Sequence, residues 1–270
     1  MDRAKFFASV RARTSGVFGT SLSQSQVDGI NGILDAFATH GDGRDKTLAY
    51  ALATAYHETG GKMSPVREGF AKTDASARRI VAKRAYGKPV GKYGHVYYGR
   101  GQVQLTWIEN YDRSSLDAGY DLVAYPDKML DPVISARVLI RGLLDGRWNG
   151  KGKGIAFYLP TNGADDLMNA RRTVNVTDKW GVIGGYYKGF LAAINAAGGV
   201  PTAPVKIDTY TTSGEWIKPP DPIGPANGPA KPANAPAEPK PIAIERKPSA
   251  ANWLAELLAK IIEAWKGTKK

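Results

Sequence analysis

From Ser23 to Phe37 the apolar residues Val27, Ile30, Ile33, Leu34 and Phe37 recur every three or four positions, the spacing of one helix face, with Ser23 or Ser25 placed to cap the N-terminus. Lys46 to Glu58 is rich in Ala and Leu and stops at Gly60-Gly61, a helix-ending pair. The pattern predicts further helices over Asp74–Tyr86, Thr106–Ala118 and Asp178–Ala197. Another runs over Pro132–Leu144, where Asp131 serves as cap and proline takes the first helical position. Strand signals are short and weak. The expected fold is mainly α, with long glycine-containing connections.

The pattern changes sharply near residue 200. Of 17 prolines only Pro65, Pro89, Pro126, Pro132 and Pro160 precede that point; the other twelve fall between Pro201 and Pro248. The stretch from Trp216 to Ser249 holds few large apolar residues, so it cannot bury enough surface to offset the entropy of ordering, and it reads as a disordered, Pro/Ala-rich linker. Periodicity then returns. Leu254, Leu257, Leu258, Ile261, Ile262 and Trp265 share one helical face, with Glu256, Lys260, Glu263 and Lys266 away from it. The expected organisation is a folded domain over residues 1–200, a linker over 201–248 and a C-terminal amphipathic helix over 249–270. That helix is too short to span a bilayer. It suits either an anionic membrane interface or docking on its own domain or a second copy.

Charge narrows the partners. The net charge is +12; residues 206–270 carry ten Lys/Arg against seven Asp/Glu, so +9 belongs to the first 205 residues. A basic body favours polyanions such as nucleic acid, anionic lipid or an anionic cell wall. No zinc-ligand spacing, basic heptad helix or aromatic RNA-stacking motif accompanies the charge, and no nucleic-acid partner is expected. Cysteine is absent, which excludes disulfides, thiolate metal sites and thiol nucleophiles. The opening Met-Asp-Arg-Ala-Lys-Phe-Phe lacks the apolar stretch of a signal peptide, so synthesis without Sec export is expected.

Three clusters carry candidate chemistry. In Ala55-Tyr56-His57-Glu58-Thr59-Gly60-Gly61, Glu58 would sit in the last turn of an apolar helix. The negative helix end and apolar neighbours both disfavour a carboxylate there, as a general acid requires. The bland alternative is a solvated Glu at a helix end. Glu68 follows ten residues on, past a Gly-Gly turn, and could face Glu58 across a cleft as the base that activates water; alternatively it pairs with Arg67. The third cluster, from Tyr97 to Trp107, reads Tyr-Tyr-Gly-Arg-Gly-Gln-Val-Gln-Leu-Thr-Trp. It combines glycines for close backbone approach, flat aromatic faces for sugar rings and amides for hydroxyl and acetamido groups. Taken singly, the aromatics also suit core packing and Arg100 a buried ion pair. The three histidines form no metal pattern, His57 suits packing or hydrogen bonding better than ligation, and no cofactor or metal is expected.

Together, His57-Glu58-Thr59-Gly60-Gly61 and Tyr97-Tyr98-Gly99-Arg100-Gly101-Gln102-Val103-Gln104-Leu105-Thr106 resemble the family-19 glycoside hydrolases, a group that includes class I chitinases and phage or bacterial muramidases. The resemblance runs through Asn110-Tyr111, Tyr125-Pro126 and Asp131–Ala136 to Arg172-Thr173-Val174-Asn175, covering roughly residues 45–195. It implies a lysozyme-like helical domain with a cleft, and an inverting mechanism. By this resemblance Glu58 corresponds to the general acid and Thr106 to the residue that helps hold the attacking water. Gln104 and Asn110 correspond to substrate-contacting positions, and Tyr98 to the cleft segment; His57, Trp107 and Asn175 complete the expected binding set. The sequence departs from the plant pattern in two places. Where the plant base lies, this chain has Arg79-Ile80-Val81, so Glu68 instead resembles the nearer second Glu of the phage-type members. Asn175-Val176-Thr177 stands where the family often has Asn-Gly-Gly.

These readings converge on a monomeric endolysin acting on peptidoglycan glycan strands. It would be made in a host cytoplasm and released to the periplasmic wall, where it would cleave between N-acetylmuramic acid and N-acetylglucosamine. The alternatives are a chitinase, or a wall-binding or virion protein that keeps the fold without catalysis.

Overall fold

A computed structural model describes residues 1–149 and 152–202. The expected linker and C-terminal helix lie outside the described residues. Within them the chain is mainly helical, as expected, and its α-helices run in the order α1 (Arg3–Val10), α2 (Gln24–His40), α3 (Asp45–Glu58), α4 (Asp74–Val81), α5 (Ile108–Ala118), α6 (Pro132–Asp145), α7 (Ile155–Tyr158), α8 (Leu167–Ala170) and α9 (Trp180–Ala196). Two short strands, β1 (Val66–Arg67) and β2 (Arg100–Gly101), pair antiparallel with Val66 opposite Gly101 and Arg67 opposite Arg100.

The caps read from the sequence form. Ser23 closes a capping box with Gln26 at the start of α2, and the Asp131 carboxylate accepts from the Val133 and Ile134 amides at the start of α6. α3 is the central helix. Its residues from Thr47 to Ala55 are all buried, so it is apolar all round rather than amphipathic. It packs against α9, α6 and α2, while α1 covers α9. The main core gathers Phe6, Ile30, Leu34, Leu48, Leu52, Leu139, Ile140, Ile183, Phe190 and Ile194 around it.

Two expected helices are shorter than the periodicity suggested. The run from Asp74 to Tyr86 breaks after Val81, and Ala85–Gly87 forms a separate 3-10 turn. A Cβ at position 87 would lie 1.9 Å from the Val81 carbonyl oxygen, so only glycine lets the chain fold back this tightly. The reversal turns Tyr86 toward the cleft. The helix expected from Thr106 begins at Ile108, because Trp107 has a left-handed φ of 74°. A second, smaller core of Ala77, Val81, Val96 and Tyr98, with Tyr86 and Ala71 against it, supports the lobe that α4 builds.

Candidate active site

The C-terminal end of α3 presents His57 and Glu58 to a cleft of about 610 Å³. Opposite elements supply the rest of its lining: Glu68–Phe70 after β1, Tyr86 from the α4 lobe, Gly99 and Val103–Trp107 around β2, Asn110 of α5, Trp148, and Arg172 with Val174–Val176. Thr59 fixes the helix end locally. Its hydroxyl donates to the Ala55 carbonyl at 2.7 Å and accepts from the Met63 amide at 2.9 Å. Gly60 and Gly61 then turn the chain at φ of 57° and 77°.

Contrary to the expectation from its helix, Glu58 does not sit among apolar groups alone. Arg171, itself 2% exposed, donates from Nη1 to Glu58 Oε1 at 2.7 Å, while its Nε reaches the Asp178 carbonyl at 3.3 Å. A buried cation thus stands in contact with Glu58 where its helix suggested apolar neighbours. His57, half-buried next to Glu58, is displaced below its ordinary range, first by burial and then by the Arg171 charge, with Glu58 pulling the other way. Neutral imidazole is therefore its resting form near pH 7.

Glu68 has a different setting. Its Oε1 accepts from the Tyr86 hydroxyl at 2.7 Å and its Oε2 from the Gly99 amide at 2.9 Å. It makes no ion pair among the described residues. The alternative pairing with Arg67 does not occur, because Arg67 donates to Asp127 at 2.7 Å. Burial and the bond to Glu68 push the Tyr86 hydroxyl up to about 12, which keeps it a donor throughout the neutral range. Gly99 is required by close approach: a Cβ there would lie 2.7 Å from Gln104 Oε1 and 3.3 Å from Glu68 Oε2.

The polar positions after β2 are tied to one another. The Thr106 hydroxyl donates to the Gln104 carbonyl at 2.9 Å, and Asn110 Nδ2 donates to the Thr106 carbonyl at 2.9 Å. Gln104 Nε2 donates to the carbonyls of Val66 and Gly101, joining this loop to β1. Asn175 accepts from the Val176 amide through its own side chain. Five non-glycine residues among those described have a positive φ. Three of them, Phe70 at 56°, Gln104 at 51° and Trp107 at 74°, line the cleft. Backbone held in this region is costly and persists where the surroundings over-determine it, commonly at sites of function.

Eight of the nine expected site residues thus meet in one cleft: Glu58, Glu68, Thr106, His57, Gln104, Asn110, Trp107 and Asn175. Tyr98 does not. Its ring is fully buried behind the site under the Arg100 guanidinium, 3.6 Å from the ring centre, and its hydroxyl donates to Asp74 at 2.9 Å. Tyr98 and its neighbour Tyr97 both fall in the buried share of their segment, and Arg100 is the buried ion-paired cation, held by Asp127 at 2.7 Å and Asp74 at 3.2 Å. Burial works against the Asp127 charge, but Arg67 and Arg100 outweigh it and hold that carboxyl below the usual range. Sequence reasoning missed Tyr86 and Arg171. Tyr86 lay inside an apparent helix; Arg171 adjoins the matched Arg172-Thr173 run, but nothing local marked its partner. Among the described residues no group of three or more His, Asp or Glu side chains is placed to hold a metal ion.

Residues 27–144 match the family described as Chitinase class I, the family-19 glycoside hydrolases. An endochitinase of Persea americana is 32% identical over 114 residues, covering 39% of this chain and 35% of that protein. A basic endochitinase of Vitis vinifera is 35% identical over 107 residues, covering 37% and 34%. The chain thus spans about a third of the length of these curated relatives. The crystal structure of chitinase C from Streptomyces griseus aligns with 74% of this chain and 93% of its own, at 22% identity and a TM-score of 0.42.

Proposed function

We propose that this chain, whose residues 27–144 match the family-19 glycoside hydrolases, hydrolyses the β-1,4 glycosidic bonds of a cell-wall glycan, with Glu58 as general acid and Glu68 as general base. The observation that carries this reading is the pair of carboxylates on one cleft with contrasting partners: Glu58 against the buried Arg171, and Glu68 held by two neutral donors. Two such carboxyl groups are what glycoside hydrolysis uses. Arg171 occupies Glu58 Oε1, so Oε2 delivers the proton to the leaving oxygen, and the guanidinium stabilises the carboxylate left behind. Tyr86 and Gly99 orient Glu68 to take a proton from water as that water adds to the anomeric carbon. Thr106 helps hold the water, and Trp107 and Phe70, each about half-exposed, offer apolar faces to sugar rings. Inversion at the anomeric carbon follows from a single displacement by water.

For the glycan we favour peptidoglycan, in a lytic, endolysin-type role, because a strongly basic body suits an anionic wall. The second reading is chitin, favoured by the relatives named as endochitinases. Purified peptidoglycan and chitin oligomers incubated with wild type and Glu58→Gln, with products read by mass spectrometry, decide between them. Reducing-end muramic acid identifies a muramidase, N-acetylglucosamine oligomers a chitinase, and anhydro-muramic products a lytic transglycosylase. Loss of a general acid is expected to cost roughly a hundred- to ten-thousandfold in rate. Equal turnover by Glu58→Gln would remove the role given to Glu58.

A further inference from the structure

Between Asp74 and Glu109 the chain contains no acidic residue, while Arg78, Arg79, Lys83, Arg84, Lys88, Lys92 and Arg100 supply seven cations. Arg100 is buried and paired, and Arg78 pairs with Asp74 at 3.5 Å. The other five, Arg79, Lys83, Arg84, Lys88 and Lys92, are exposed and form no ion pair among the described residues. Asp74, the nearest carboxylate in the chain, is already taken by Tyr98, Arg100 and Arg78. An excess of five cations therefore stands on one lobe, where Lys92 feels a nearby carboxylate, that of Asp121.

That lobe is folded and borders the cleft. Its small core is Ala77, Val81, Val96 and Tyr98. Arg78 Nη2 donates to the Gly94 carbonyl at 3.3 Å, tying α4 to the end of the following loop. Tyr86, between Arg84 and Lys88, enters the cleft and meets the Trp107 ring edge-on at 5.4 Å. Ile80, half-exposed beside Arg79, lies against Gly69 of the cleft wall: a Cβ at position 69 would be 2.7 Å from Ile80 Cδ1. The cations thus stand outside the cleft lining, on a lobe whose aromatic tip, Tyr86, is part of the site.

We propose that this lobe docks carboxylates borne by the glycan strand lying in the cleft, so that the preferred substrate is a peptide-substituted, anionic glycan rather than a neutral one. The proposal rests on the glycosidase reading above. A glycan with carboxylates projecting at intervals from its backbone presents charge beyond the sugars in the cleft, toward the lobe that carries the five cations. A neutral N-acetylglucosamine polymer gives them no counter-charge. Exposed pairs are individually weak and screened by salt, so the effect is collective and sensitive to ionic strength.

The test uses the full chain with Lys83→Glu, Arg84→Glu, Lys88→Glu and Lys92→Glu combined, none of which supplies a catalytic group. Sedimentation binding is measured in the Glu58→Gln background on intact peptidoglycan and on insoluble chitin, a neutral N-acetylglucosamine polymer. The charge-reversed protein is expected to bind intact wall at least about tenfold more weakly in low salt, and to bind chitin as its parent does. The parent's preference for intact wall should disappear in 0.5 M salt, where screening acts within about 4 Å. Equal binding of both proteins to intact wall overturns the proposal, as does tighter binding of the parent to duplex DNA than to wall at the same salt. Circular dichroism melts confirm that the lobe still folds; if it does not, Lys83→Gln with Lys88→Gln replaces the reversal, with a smaller loss expected on intact wall alone. Failure of the wild type to release reducing ends from any glycan would fault the glycosidase reading instead, without altering the binding result.

Discussion

The Tyr86 hydroxyl stands 2.7 Å from Glu68 Oε1, and the same ring meets Trp107 edge-on at 5.4 Å. One side chain therefore holds the proposed base and braces an exposed aromatic surface of the cleft. A hydrogen bond to a charged group contributes about 1.5–3 kcal/mol, or roughly ten- to a hundredfold. Tyr86→Phe keeps the ring and deletes the donor. It is expected to lower kcat about tenfold on the cleaved glycan with KM within about twofold, since the aromatic brace survives. Steady-state kinetics with unchanged kcat would show that the hydroxyl does not position Glu68.

Arg171 is buried against Glu58, with little water to replace it. Arg171→Met leaves Glu58 facing the protein without its cation, and removing one partner of a buried pair costs about 3–5 kcal/mol. Urea denaturation should show that loss. The double variant Arg171→Met with Glu58→Gln should be less destabilised than Arg171→Met alone, because the uncompensated charge is gone. Additive losses would mean the pair is not coupled.

His57 supplies a pH signature. Burial favours its neutral form in the fold, so its folded titration lies below the ordinary value near 6.5. The sign follows directly: the stability tied to neutral His57 is fully present above about pH 6.5 and is lost as pH falls through the folded midpoint. A histidine NMR titration should place the His57 midpoint below 6.5, and His57→Gln should flatten part of the acid loss of stability. A midpoint at or above 6.5 contradicts the burial argument.

Tyr98 and Trp107 separate packing from binding. Tyr98→Phe removes a buried hydroxyl bonded to Asp74 and is expected to cost about 1–2 kcal/mol of stability with KM unchanged. Trp107→Ala is expected to raise KM about three- to tenfold, the contribution of one aromatic face, with a smaller effect on the melting temperature. Thermal melts and kinetics on the two variants check both, and a KM effect from Tyr98→Phe would return that residue to the cleft.

Much of this was legible in the chain. The caps at Ser23 and Asp131 and the glycine stop after Glu58 appear where the sequence put them, because capping and periodicity depend on residues three or four apart. Five of the eight cleft residues, His57, Glu58, Gln104, Thr106 and Trp107, fell in two short runs, the second marked by its glycines and amides as a close-approach loop. Tyr98 misled because adjacent aromatics in an extended segment point to opposite sides and here both sides are core, Tyr97 in the main one and Tyr98 in that of the α4 lobe, which local spacing does not reveal. Tyr86 was hidden because the Asp74–Tyr86 run keeps helical composition past the point where Gly87 folds it back.

What the sequence by itself determined is local: which stretches are helical, where they start and stop, and that Glu58 and Glu68 flank a tight turn. The tertiary structure alone decided what each carboxylate touches. Tyr86 reaches Glu68 across 18 residues and Arg171 reaches Glu58 across 113. Contacts of that range exist only once α3, α9 and the α4 lobe have packed. The forces that pack them are hydrophobic and non-directional, so a run of apolar residues announces that a helix will be buried without naming the polar side chain it will meet.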